Sequence, residues 1–123
     1  MKVLFVEHPN KPLKRLGYCS YYGEIFYALK EIIDIKIKHA VPSKIGELGS
    51  QWDAIILGFG HTDSGNDVLP EIIQDTNIPL FPILNKEYAG LINKLQWIKS
   101  MNPKAALTVH HDYEIFSKTT GIP

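Results

Sequence analysis

His110-His111-Asp112 is the densest run of ionisable side chains in the 123 residues. Two adjacent histidines on an extended strand point to opposite faces, so one ion cannot take both without a bend. A metal site would have to borrow His61, Asp63 or His8. The chain has neither a helical HExxH nor a paired-cysteine pattern, and no metal is expected. At least one of the two histidines reads as a ligand contact. Asp112 reads either as a third contact or as the N-cap of a following helix.

Four further groups have types and spacings that suit small-ligand chemistry. Gly58-Phe59-Gly60-His61-Thr62-Asp63 is a glycine-containing polar loop. Its glycines serve either as plain turn residues or as a close-approach surface with free N–H donors. It does not match GxGxxG, and no GxxxxGK[ST] occurs anywhere, which excludes a dinucleotide fingerprint and a P-loop. Asn85-Lys86-Glu87 is a second polar exit. Lys11, Lys14 and Arg15, with Leu13 and Leu16 beside them, fit a bound phosphate, an anionic membrane surface or a solvated loop. Tyr22-Gly23, just before an apolar helical stripe, is a candidate wall of the same site.

These groups need elements to hold them. Lys2–Val6 is an apolar, β-branched run broken by His8-Pro9-Asn10, which predicts a strand buried on both faces. Positions 25, 26, 29, 32 and 33 form one helical stripe. Residues 35–40 alternate as an edge-ward strand. Pro42-Ser43 opens a short helical piece ending at Leu48. Asp53–Gly58 predicts a third buried strand, followed by a helix capped by Asn66 or Asp67 with Val68, Leu69, Ile72 and Ile73 inward. Ile78–Leu84 reads as a fourth strand weakened by two prolines. A helix burying Tyr88, Leu91, Ile92, Leu95 and Ile98 stops near Asn102-Pro103. Ala105–Val109 is a fifth strand, and a helix over 113–119 closes at Gly121. Alternating strands and helices define an α/β class: a Rossmann-like, doubly wound, mostly parallel sheet in three α/β/α layers. The expected strand order is 3-2-1-4-5. Every strand but the second then delivers a polar cluster to the carboxyl edge, where such folds bind ligands.

Composition bounds the function. Thirteen basic against thirteen acidic residues leave no net charge, which argues against a dedicated nucleic-acid binder. The length suits one domain over 1–123. The lone Cys19 fits a reducing compartment. Met1-Lys2 leads straight into a strand without a cleavage region, so a cytoplasmic protein is expected, with the basic run as its route to a membrane surface.

Lys2–Val6 with its long loop, Tyr22-Gly23, Gly58-Phe59-Gly60, Asn85-Lys86-Glu87-Tyr88 before a helix containing Trp97-Ile98, and Thr108-Val109-His110-His111 together resemble the N-terminal half of GT-B glycosyltransferases of the group 1, family 4 type. The resemblance implies a two-domain transferase whose N-terminal half holds the acceptor and whose C-terminal half holds a nucleotide-sugar. It implies that Tyr22-Gly23 lines the acceptor and diphosphate region, and that His110 or His111 stands near the donor sugar as the catalytic histidine. Gly58, Gly60, His61, Asn85, Lys86, Glu87 and Asp112 would contact substrate. The acceptor would be a glycan, lipid or protein, no cofactor is required, and the isolated half would be inactive. The Ile122-Pro123 ending looks like the approach to another strand, and an apolar face left open there would pair two copies. The sequence departs from many members in having single glycines where they have a pair, and the donor half's two-glutamate signature is absent. The alternative is a stand-alone flavodoxin- or Rossmann-like domain that binds a small ligand or regulates. A receiver fits poorly, because the third exit is Gly58-Phe59-Gly60 where a receiver has an aspartate.

Overall fold

The computed structural model describes residues 1–9, 14–15, 18–19, 24–62, 69–86, 90–108 and 113–123. Strands β1 (Lys2–Glu7), β4 (Asp34–His39), β5 (Ala54–Leu57), β6 (Leu80–Leu84) and β7 (Leu107–Thr108) form one all-parallel sheet. A separate two-stranded antiparallel ladder joins β2 (Lys14–Arg15) to β3 (Tyr18–Cys19), inside the stretch read from sequence as one long loop. Helices α1 (Glu24–Lys30), α2 (Leu91–Ser100) and α3 (Tyr113–Thr120) complete the fold.

The main sheet runs β4-β1-β5-β6-β7. In order of appearance this is 2-1-3-4-5, which corrects the expected 3-2-1-4-5. The reason lies in burial. Ile55 and Leu57 pack on one face of the sheet and Ile56 on the other, all buried. A strand apolar on both faces belongs inside a sheet, and β5 lies between β1 and β6. The expected order would have left it at an edge. β4 takes that edge, as its alternation implies: Ile35 and Ile37 turn inward while Lys36 and Lys38 are exposed.

β1 supplies Leu4 and Val6 to the larger core with Leu80, Leu84, Leu95, Trp97 and Ile98, and Val3 and Phe5 to the smaller one with Phe26, Ile56 and Ile83. Helices therefore cover both faces, α1 on the smaller core and α2 on the larger. Pro82 is accommodated within β6, fully buried opposite Leu57. An apolar cavity of about 710 Å³ opens between β7 and α3, lined among others by Phe59, Ile83, Leu107, Tyr113 and Phe116. Among the described residues no helix is long and apolar enough to cross a membrane.

Three helix assignments change. Residues 63–68 lie outside the described part, and 69–79 are not helical. Instead, Ile73 exchanges backbone hydrogen bonds with Ser43 and Ile45 (both 2.9 Å), and Trp97 Nε1 donates to Pro70 O at 2.7 Å. Ile72 is buried as expected, but Ile73 is exposed. Pro70 and Pro79 bracket a segment that finds strand-like partners, and tertiary hydrogen bonds override the apolar stripe. In α2 the inward face holds Lys94, Leu95, Trp97 and Ile98, while Ile92 is 71 % exposed. In α1 the helix stops at Lys30, so Ile32 falls beyond it and is exposed as well. The short piece before Leu48 is a 3-10 turn, Ile45–Leu48. At the end of α3, Gly121 adopts φ 73° and its N–H donates to Ser117 O at 2.8 Å, the left-handed C-terminal cap.

Candidate functional site

In a 2-1-3-4-5 sheet the strand order reverses between the first and third strands, and the crevice outside their carboxyl ends is where such folds place ligands. Here that point lies between β1 and β5. It brings Glu7 and His8, at the end of β1, against the 3-10 turn Phe59–Thr62 that follows β5.

Glu7 organises the turn. Its side chain is fully buried, and Oε1 accepts from Gly60 N at 2.8 Å and from His8 N at 2.7 Å. Its carboxylate lies directly over Gly58. A methyl group at 58 would overlap Glu7 Oε2 and sit 2.7 Å from its Cδ and 2.8 Å from Phe5 Cε1. Gly58 is thus required by an internal close approach. Gly60 spends its N–H on the carboxylate. The loop's glycines, expected to offer close approach and free donors to a ligand, serve Glu7 at both positions.

His61 is the second fixed group. Its ring is 4 % exposed, and Nε2 lies 3.0 Å from Val6 O, which also accepts from Gly58 N at 2.8 Å. A carbonyl only accepts, so Nε2 carries the proton and Nδ1 presents a lone pair. Burial pushes the pKa down to about 4, the Val6 hydrogen bond works against that fall, and His8 adds to it. The His8 ring lies 5.7 Å away, edge to face. The imidazole is neutral at pH 7, and Nδ1 has no hydrogen-bond partner among the described residues.

The third strand exit is tied to this one through buried side chains. Thr62 Oγ1 donates to Ile83 O at 2.9 Å and accepts from Asn85 N at 2.9 Å. Lys94, 1 % exposed, reaches up from α2 and donates to Asn85 O at 2.8 Å and Lys86 O at 2.9 Å. Lys86 adopts φ 49°, a left-handed backbone that an ordinary side chain disfavours by about 1–2 kcal/mol. The lysine ammonium holds the carbonyls of this strained turn together.

Of the residues marked from sequence, Gly58, Gly60, His61, Asn85 and Lys86 therefore lie on one carboxyl-edge rim. Lys14 and Arg15 lie on β2. Lys11, Tyr22, Gly23, Glu87, His110, His111 and Asp112 lie outside the described residues. Glu7, Thr62 and Lys94 were missed. Glu7 is the final residue of a doubly buried strand, and Lys94 is three residues from Leu91 and four from Ile98, on the inward face. In both cases position, not residue type, carried the signal.

Fold and rim together define a Rossmann-like α/β domain with its buried polar groups gathered at the switch point. Compared with models of known families, with characterised proteins and with solved structures, the chain has no match.

Proposed function

We propose that this chain is the acceptor-side half of a glycosyltransferase, acting with a second α/β domain that holds a nucleotide-sugar donor. The observation that supports the reading best is the placement of Glu7, His8, Gly60 and His61 at the β1–β5 switch point. Glu7 and the neutral His61 place buried acceptor atoms behind this point of the rim. The donor half would supply the charge stabilisation of the leaving diphosphate. The resemblance carried by Tyr22-Gly23, Gly58-Phe59-Gly60, Asn85-Lys86-Glu87-Tyr88 and Thr108–His111 points the same way, with His110 or His111 beside the donor sugar and Asp112 at the same exit. The acceptor is a glycan, lipid or protein glycan site, reached in the cytoplasm or at its membrane surface.

The test is turnover of radiolabelled nucleotide-sugars by the full gene product containing these residues, compared with residues 1–123 alone. Transfer or donor hydrolysis by the former, lost in the latter and reduced by His110→Ala or His111→Ala, is the expected result. Failure of the full product to bind or turn over any nucleotide-sugar overturns the reading. One observation favours a second reading, a stand-alone small-ligand domain: 2-1-3-4-5 is the flavodoxin-like strand order. Ligand binding by 1–123 without any transferase activity in the full product would select it.

A further inference from the structure

We infer that the cavity between β7 and α3 is a binding site for a neutral alkyl chain, entered lengthwise from the amino-terminal end of the helix. The site lies beside the sheet edge, meets the switch-point turn only at Phe59, and requires no glycosyl transfer.

The packing creates the space. β7 is two residues long, Leu107–Thr108, and pairs with β6 at Ile83 and Leu84. So short an edge strand presents little apolar face to a helix, and α3, which forms the opposite wall, buries none of its eight residues. Protein interiors otherwise leave few spaces larger than a water molecule. At about 710 Å³ this one falls in the range of small-molecule sites, about 300–1,000 Å³.

The cavity is long, with one closed end. Ala106 N donates to Pro123 O at 2.9 Å, which ties Ile122-Pro123, beyond α3, to the residue before β7, and Ile122 is buried there. Tyr113, at the other end of α3, is 58 % exposed. Both line the cavity, so it runs from a closed end to an open one along a helix of eight residues, about 12 Å. A linear chain fills such a space tail first.

The walls select against a charged ligand. Apart from the small hydroxyl side chains of Thr108, Ser117 and Thr120, the deeper lining is apolar, with Leu95, Ile98 and Phe116 among it. The Thr120 hydroxyl is committed within the chain, donating to Phe116 O at 2.9 Å and accepting from Ile122 N at 3.2 Å. The charged lining residues are Glu114 and Lys118, one turn apart on α3 and opposite in sign. They leave no net charge to hold an ionic head, while the apolar walls reward each buried methylene.

Displacement of the neutral dye N-phenyl-1-naphthylamine by methyl hexanoate, methyl octanoate and methyl decanoate measures the site in the wild-type chain. Each added methylene should tighten binding about fourfold, the effect of burying one CH₂. In methyl-labelled protein, nuclear Overhauser contacts from the ligand chain should reach Leu107 and Ile122. Ser117→Trp fills the cavity and should weaken methyl decanoate by at least about tenfold. Ile115→Trp, on the outer side of the same helix, should leave the affinity unchanged. No displacement, an affinity that is flat with chain length, ligand contacts that miss Leu107 and Ile122, or equal effects of the two tryptophans overturns the inference. So does decanoate binding about tenfold more tightly than its methyl ester, which would require a cationic head site. A dimer in light scattering whose interface covers Leu107 and Tyr113 and excludes the esters gives this face to a second copy and overturns it too. Alkyl binding by a protein with no transferase activity would leave this inference and remove the proposed function. Transferase activity without alkyl binding would do the reverse.

Discussion

Gly58→Ala probes the centre of the rim with a single methyl group. All three of its nearest neighbours would lie inside 3.0 Å, and they belong to Glu7 and Phe5, both fully buried. Neither can swing into solvent, so the strand or the carboxylate must move. Overpacking a closed site costs about 1–3 kcal/mol. Displacing the carboxylate weakens its hydrogen bonds from Gly60 and His8, and bonds to a charged group are worth about 1.5–3 kcal/mol each. Partial relaxation gives an expected loss of about 2–4 kcal/mol, a large part of the roughly 5–15 kcal/mol that holds a domain together. Urea unfolding followed by the fluorescence of Trp52 and Trp97 measures it. The companion measurement is Gly58→Ala in a Glu7→Ala background, where the added methyl meets only Phe5. The penalty there should fall by at least about 1 kcal/mol, the coupling expected of residues in contact. A loss below about 0.5 kcal/mol in the wild-type background, or strict additivity in the double variant, would refute the account of Glu7 over Gly58.

Three other outcomes follow from the same geometry. Because the folded His61 pKa lies below its ordinary value of 6.5, at about 4, the unfolded chain binds the extra proton. Its contribution is full above pH 6.5, declines between 6.5 and 4, and is gone below; the window corresponds to about 3 kcal/mol. The fall in unfolding free energy from pH 7 to pH 4 should be smaller by about that amount in His61→Gln, and an unchanged pH profile would contradict the burial described. Lys94→Met removes the donor shared by Asn85 O and Lys86 O and should cost about 2–4 kcal/mol, with faster amide exchange around residue 85; a neutral effect would mean that the turn holds itself. Trp97→Ala should cost about 3–5 kcal/mol, whereas Ile92→Glu should stay within about 0.5 kcal/mol, a contrast read by urea midpoints that would fail if α2 were rotated.

Much of the fold was legible because burial on both faces leaves a plain mark. Lys2–Val6 and Ala54–Leu57 are continuous apolar runs, and 34–39 alternates. The strand order was not read from them, although the doubly apolar third strand already argued for an interior position. The stretch 69–79 misled because Leu69, Ile72 and Ile73 share helical spacing while their backbone partners, Ser43 and Ile45, lie far away in sequence. Gly58, Gly60, His61, Asn85 and Lys86, marked by residue type, fall together just beyond the carboxyl ends of β5 and β6. Residue type missed Glu7 and Lys94 because charged residues are expected outside, and a buried one betrays itself only through its position on an inward face.

The all-parallel sheet also shapes how the chain is made. β1 cannot pair locally: its partners β4 and β5 are 34–39 and 54–57, with α1 and a long connection between them. At about 5–20 residues per second of synthesis, Leu57 follows Glu7 by roughly 3–10 s. Until β4 is made, β1 is an apolar segment with two open edges, and the edge that β5 covers stays open for the whole interval. Parallel, non-local pairing is slow even afterwards. A faster-translated or overproduced protein should therefore aggregate through β1 before the switch point exists.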